Sequence, residues 1–103
     1  MKVTFLDKEH SLNKILRSQK STKANLRILF TSLWDPYSVS LVQKLKEVNT
    51  DKGIPLYVVD SYEMPHSFVI YKTSKVPQLV TLRGSRLSSE DYLPRIYKDL
   101  HIE

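Results

Sequence analysis

The residues best suited to chemistry lie between positions 34 and 38, where the chain reads Trp34-Asp35-Pro36-Tyr37-Ser38. Asp35 brings a carboxylate that could act as a base, and Ser38 brings a hydroxyl that could act as a nucleophile. No histidine is close in sequence to activate that hydroxyl. A carboxylate at a helix N-terminus is stabilised in its charged form and is a poorer base for it. The pattern therefore favours Asp35 as a structural N-cap over Asp35 as a catalyst.

A strand and a helix must position this stretch. Residues 26–31 form a nearly continuous apolar run, which is typical of a central strand covered on both faces. Pro36 loses no hydrogen bond at the first position of a helix. The stretch is therefore expected at the carboxyl end of a strand, where open α/β sheets place their sites. Trp34 and Tyr37 either form an exposed aromatic patch there, or Trp34 packs against the loop beneath it.

Composition excludes several classes of function. The chain contains no cysteine, which rules out disulfides, thiolate metal sites and thiol catalysis. Its two glycines leave no room for a glycine-rich phosphate loop. The three histidines, His10, His66 and His101, are too widely spaced for a typical metal site. We therefore expect neither a metal nor a cofactor.

Size, hydropathy and charge predict one domain, residues 1–103, in the cytoplasm. The 103 residues, 41% of them hydrophobic, suit a single core. No run approaches the roughly 18 apolar residues of a membrane span, and the apolar N-terminus is too short for a signal peptide. The net charge of +5 comes from basic pairs spread along the chain, and such pairs are typical of solvated faces.

The order of elements predicts an α/β domain with a mixed sheet of four to five strands, flanked by about four helices. Strands are expected near 2–6, 26–31, 54–60, 76–82 and 85–87. Helices are expected over 8–20, from Pro36 onward, over a short stretch from Pro65, and around 93–100. The expected caps are Asp7 or Ser11 for the first helix and, within Ser88-Ser89-Glu90-Asp91, Asp91 for the last.

Three segments resemble the thioredoxin and glutaredoxin-like superfamily. The stretch 34–38 has the spacing of the Trp-Cys-x-x-Cys motif, with Asp35 and Ser38 at the cysteine positions. Lys75-Val76-Pro77-Gln78-Leu79 is similar to the Thr-Val-Pro-Gln segment that carries the family's cis-proline opposite that motif. Tyr57-Val58-Val59-Asp60 resembles the intervening strand that ends in an acidic residue. The resemblance implies a thioredoxin-like fold and a cis Val76–Pro77 bond.

The same resemblance implies that the redox chemistry is lost. Asp35 and Ser38 cannot carry out thiol–disulfide exchange, which needs a thiolate. Leu29 stands six residues before Asp35, at the position where thioredoxins carry a buried acid. Ser88-Ser89 takes the place of the glycine pair that lies against glutathione in glutaredoxins, which disfavours glutathione binding.

The sequence supports three functional hypotheses. The first is a redox-inactive adaptor, not an enzyme, that binds another protein or an extended peptide. Its expected surface comprises Trp34, Asp35, Pro36, Tyr37, Ser38, Val76 and Pro77, because backbone pairing beside the proline needs no cysteine. The second is a basic protein that binds nucleic acid or an acidic surface through Lys44 and Lys46 or Arg83 and Arg86. The third is residual glutathione-linked or hydrolytic activity through Tyr37 or Ser38.

Overall fold

Strands and helices alternate along the chain until a hairpin leads into the last helix. The computed structural model describes residues 2–48, 53–61, 64–65 and 75–102. Its strands are Val3–Phe5 (β1), Leu26–Thr31 (β2), Leu56–Asp60 (β3), Gln78–Arg83 (β4) and Arg86–Glu90 (β5). Its helices within these residues are Glu9–Thr22 (α1), Pro36–Glu47 (α2) and Leu93–Leu100 (α3).

The strands form one five-stranded mixed sheet in the order β1-β3-β2-β4-β5. β3 runs parallel to both β1 and β2, whereas β4 is antiparallel to β2 and β5 is antiparallel to β4. The central strand β2 has the predicted bounds and is buried at every residue except the half-buried Arg27. Its apolar run is explained by layers of side chains on both faces of the sheet.

Alternate residues of β2 enter two different cores. Leu29 belongs to the first core, with Leu41 of α2 and Ile96 of α3. Phe30 belongs to the second core, with Leu12 of α1. Because successive side chains of a strand point to opposite faces, α2 and α3 cover one face of the sheet and α1 covers the other. This arrangement confirms the α/β class predicted from the sequence.

The first helix differs from the prediction at both ends. It begins at Glu9 after Lys8, which makes no side-chain capping bond, so the predicted caps Asp7 and Ser11 are wrong. It continues to Thr22, beyond the predicted end at residue 20, and Lys23 ends it in the left-handed conformation with φ 58°. The polar residues that suggested a loop are accommodated because nearly all of them lie on the exposed side of the helix.

The C-terminal hairpin is longer than predicted. β5 extends to Glu90, and Ser88 and Ser89 lie within it opposite Thr81 and Val80 of β4. The expectation that these serines offer helix caps is therefore wrong, because their backbone groups pair with the neighbouring strand. Gly84 supplies the positive φ of the intervening turn, 64°, which glycine adopts without steric cost.

The cap of α3 is also different from the prediction. Tyr92, not Asp91, is the N-cap residue, and its backbone N–H donates to a carboxylate oxygen of Glu90 at 3.2 Å. Pro94 lies in the first turn, as expected. The predicted strands near 54–60 and 76–82 begin two residues later, after Pro55 and Pro77. The predicted short helix from Pro65 falls almost entirely outside the described residues.

Candidate functional site

A tight turn at the carboxyl end of β2 presents the central part of the candidate site. Ser32 begins the turn, and its backbone carbonyl accepts a hydrogen bond from the backbone N–H of Asp35 at 3.1 Å. The Ser32 hydroxyl accepts a second hydrogen bond from the Trp34 N–H at 3.2 Å. The Asp60 carboxylate, at the end of β3, accepts from the Leu33 N–H at 2.9 Å. Two neighbouring strands therefore hold the turn in place.

Asp35 caps α2, which confirms its predicted structural role. Its Oδ2 accepts from the backbone N–H of Ser38 at 2.8 Å and from the Ser38 hydroxyl at 2.8 Å. Pro36 is in the first turn of the helix, where it costs no hydrogen bond. The Ser38 side chain is fully buried, so its hydroxyl depends on the carboxylate for a partner.

Three large side chains, two from this turn and one from the first turn of α2, project into solvent. Trp34 is 83% exposed, Tyr37 64% and Leu33 63%. Trp34 is therefore not packed on the loop beneath it. Sequence reasoning missed Leu33, because an apolar residue beside a strand gives no signal of exposure. It also assigned no role to Asp60 at the site, although the acidic end of β3 was the available clue.

The Val76–Pro77 segment lies at the same end of the sheet. The β2–β4 register ends at Phe30 opposite Gln78, so one further step places Pro77 beside Thr31. The Val76–Pro77 peptide bond is cis; Pro77 is buried and Val76 is half-buried. Within the described part of the chain, the backbone N–H and C=O of Val76 form no hydrogen bond. These groups are available for a backbone partner.

The chemistry available at this site is limited. The Asp35 carboxylate is engaged by two donors from Ser38, and the serine hydroxyl is buried away from solvent. Among residues 2–48, 53–61, 64–65 and 75–102, no three His, Cys, Asp or Glu side chains are grouped as a metal site would require. No helix in these ranges is long and apolar enough to span a membrane.

Solved thioredoxin structures superpose on nearly the whole chain. Thioredoxin O2 from Arabidopsis thaliana matches with a TM-score of 0.79 and 17% identity, covering 96% of this chain and 91% of that one. A thioredoxin pre-protein from Schistosoma mansoni matches with a TM-score of 0.76 and 12% identity, covering 98% and 97%. The chain has the thioredoxin fold. No family model and no curated protein matches its sequence.

This thioredoxin-like chain lacks the residues on which thiol chemistry depends. It has no cysteine, so thiol–disulfide exchange is excluded. The two positions that resemble the redox cysteines hold Asp35 and Ser38, joined by a 2.8 Å hydrogen bond. The position that resembles the buried acid holds Leu29, which is fully buried in the first core.

Proposed function

We propose that this chain is a redox-inactive, thioredoxin-like adaptor that binds an extended segment of another protein and catalyses no reaction. The docking surface comprises Trp34, Asp35, Pro36, Tyr37 and Val76, with Leu33 added. Ser38 and Pro77 of the predicted set are buried and support this surface from beneath. The observation that carries the proposal is the exposure of three large side chains, two on the turn and Tyr37 in the first turn of α2. Contiguous exposed apolar residues on a small domain mark interaction sites.

The turn suits binding because its backbone is already ordered. Asp60 and Ser32 fix Leu33 and Trp34 through hydrogen bonds of 2.9 and 3.2 Å, and Asp35 fixes the start of α2. A partner therefore does not have to order the turn when it binds, which lowers the entropic cost of association. Tryptophan and tyrosine are the side chains most enriched among binding hot spots.

The backbone of Val76 supports the choice of an extended partner. Its N–H and C=O have no hydrogen-bond partner within the described residues, and the register of β4 places them beside the turn. An extended peptide could pair with these groups and rest its side chains on Trp34 and Tyr37, as in recognition by strand addition.

The geometry gives no support to hydrolysis through Ser38. A nucleophilic serine must be exposed to substrate and hydrogen-bonded to a general base that can accept its proton. Ser38 is fully buried and its hydroxyl donates to the carboxylate that caps the helix. Glutathione-linked exchange through a protein thiol is excluded because the chain has no cysteine, and the buried Ser38 hydroxyl cannot reach the thiol of a bound glutathione.

The test compares two double variants. Trp34→Ala/Tyr37→Ala removes the aromatic side chains of the docking surface. Val48→Ala/Leu87→Ala removes two other exposed apolar side chains, 39% and 57% exposed, at the opposite end of the sheet. A partner captured from the native host is purified, and its affinity for each variant is measured by calorimetry. A hot spot contributes at least about 2 kcal/mol, so we expect the first variant to bind at least about 30-fold more weakly.

The control variant should bind within about twofold of the unmodified chain, since isolated exposed apolar residues outside an interface contribute little. Equal affinity of Trp34→Ala/Tyr37→Ala and the unmodified chain would move the binding site away from the turn. A loss of affinity in both variants would show that the partner recognises apolar surface without preference for this site.

A further inference from the structure

A second group of polar side chains lies at the end of the sheet opposite the turn. Arg27 of β2 is paired with Thr81 of β4, and Thr81 is paired with Ser88 of β5. Arg83 follows Thr81 by two positions and is paired with Arg86. Because residues paired across strands, and residues two apart along one strand, share a face, all five lie on the face covered by α3.

The end of α3 closes this group into a cleft, which we call the basic cleft. It encloses a cavity of about 350 Å³ lined by Arg27, Thr81, Arg83, Ser88, Lys98 and Asp99, among others. An adjoining cavity of about 290 Å³ shares Arg83 and Ser88 with it and adds Arg86. Volumes of this order are at the small end of the range for ligand pockets.

Within the described residues, one hydrogen-bond donor of Arg27 has no acceptor in this cleft. Its two terminal nitrogens donate to the backbone carbonyls of Asp99 at 3.1 Å and Ile54 at 3.4 Å, but its buried Nε–H has no partner. Burial lowers the pKa of Arg27, and the positive charge of Arg83 lowers it further, against an opposing effect of Asp99. Arginine stays charged at neutral pH, so the Arg27 guanidinium carries its charge in surroundings that disfavour it and would favour a nearby anion.

Among the described residues of the cleft, positive charges outnumber negative ones. Arg83 and Arg86 face each other directly in the β4–β5 register, an arrangement of like charges that destabilises a sheet. Within the described residues, neither Arg83 nor Arg86 forms an ion pair; the pair Lys75–Asp91 involves neither arginine. Among the residues that the structure describes, Asp99 is the one acidic side chain that lines the cavity of about 350 Å³.

We infer that the basic cleft binds a phosphate group. Guanidinium groups present planar pairs of N–H donors that match phosphate oxygens, and the Thr81 and Ser88 hydroxyls add donors on the same face. A phosphate would relieve the repulsion between Arg83 and Arg86. The inference is independent of the proposed docking surface, which lies at the other end of β2.

In the test, the full chain is titrated with inorganic phosphate and with pyrophosphate at constant ionic strength. Binding is measured from the changes in amide NMR chemical shifts. Arg83→Gln/Arg86→Gln removes two charges from the cleft. The control variant, Lys8→Gln/Lys14→Gln, also removes two positive charges, but at exposed positions distant from the cleft. Lys8 precedes α1 and Lys14 lies within it. We expect the cleft variant to bind at least about tenfold more weakly, because two guanidinium groups that donate charged hydrogen bonds to phosphate are lost. The control should change by less than twofold.

The amide shifts should concentrate at Thr81 and Ser88 and spare Trp34, whose turn is remote from the cleft. Equal weakening in both variants would mean that phosphate responds to net charge alone, and would overturn the inference. So would shifts spread over the whole surface, or an unchanged affinity in Arg83→Gln/Arg86→Gln. Urea unfolding of each variant establishes that it is folded, and the single variant Arg86→Gln serves if the double variant is not.

A short single-stranded oligonucleotide distinguishes the two sources of phosphate. If the cleft takes the phosphates of a small ligand, pyrophosphate should compete with the oligonucleotide and the cleft variant should lose affinity for both. If a polymer backbone is the better ligand, the oligonucleotide should bind more tightly than pyrophosphate and depend steeply on salt. Binding of the oligonucleotide that neither pyrophosphate nor the cleft variant affects would overturn the inference for nucleic acid.

Discussion

Replacing Asp35 with alanine should cost far more stability than loss of an exposed carboxylate normally does. The change removes the N-cap of α2, worth about 1 kcal/mol. It also leaves the hydroxyl of Ser38 fully buried without its 2.8 Å acceptor, which costs about 1–3 kcal/mol. The expected loss in the free energy of unfolding is therefore about 2–4 kcal/mol, or at least about 8 °C in Tm.

A double-mutant cycle separates the two contributions. Ser38→Ala alone removes one hydrogen bond and should cost about 1 kcal/mol. In the Asp35→Ala background, the same change removes the orphaned hydroxyl and should restore about 1–3 kcal/mol. Urea unfolding monitored by circular dichroism gives the free energy of unfolding of each variant, and the values are comparable if the m-values are equal. If the two single losses simply add, the buried hydroxyl does not depend on Asp35 and the reasoning fails.

Two further predictions concern hydrogen bonds between elements. In Asp60→Ala the Leu33 N–H loses its 2.9 Å acceptor. The free energy of unfolding should therefore fall by about 1 kcal/mol, and the motion of Trp34, measured by time-resolved fluorescence anisotropy, should increase. Asp60→Asn should retain most of the stability and most of the restriction of Trp34. Gln19→Ala should cost about 1–3 kcal/mol in a urea titration, because the buried Gln19 amide donates to the carbonyl of Gly84 at 2.6 Å.

Local signals in the sequence were sufficient for the centre of the fold. The apolar run at 26–31 predicted β2 with its observed bounds, since a strand buried on both faces needs little else to be recognised. Asp35 and Pro36 likewise predicted the start of α2, because a cap and a first-turn proline act within one turn of helix.

Signals that depend on pairing between distant segments were not visible in the sequence. Serine is a residue type favoured in turns and helix caps, but Ser88 lies in β5 because it pairs with Thr81. Arg27 and Arg83 are 56 residues apart, and only the β2–β4 register brings them to one face. The exposure of Leu33 also follows from its place at the tip of a turn, since hydropathy alone would have placed it in the core.

Asp35 and Ser38 give the turn and the start of α2 a single covalent state, because neither residue can form a disulfide. A pair of cysteines at such positions would exchange between dithiol and disulfide as the reduction potential of the compartment changes. An aspartate and a serine do not respond to that potential. If a partner docks on this turn, the turn itself adds no dependence on the reduction potential to the complex, and any such dependence comes from the partner.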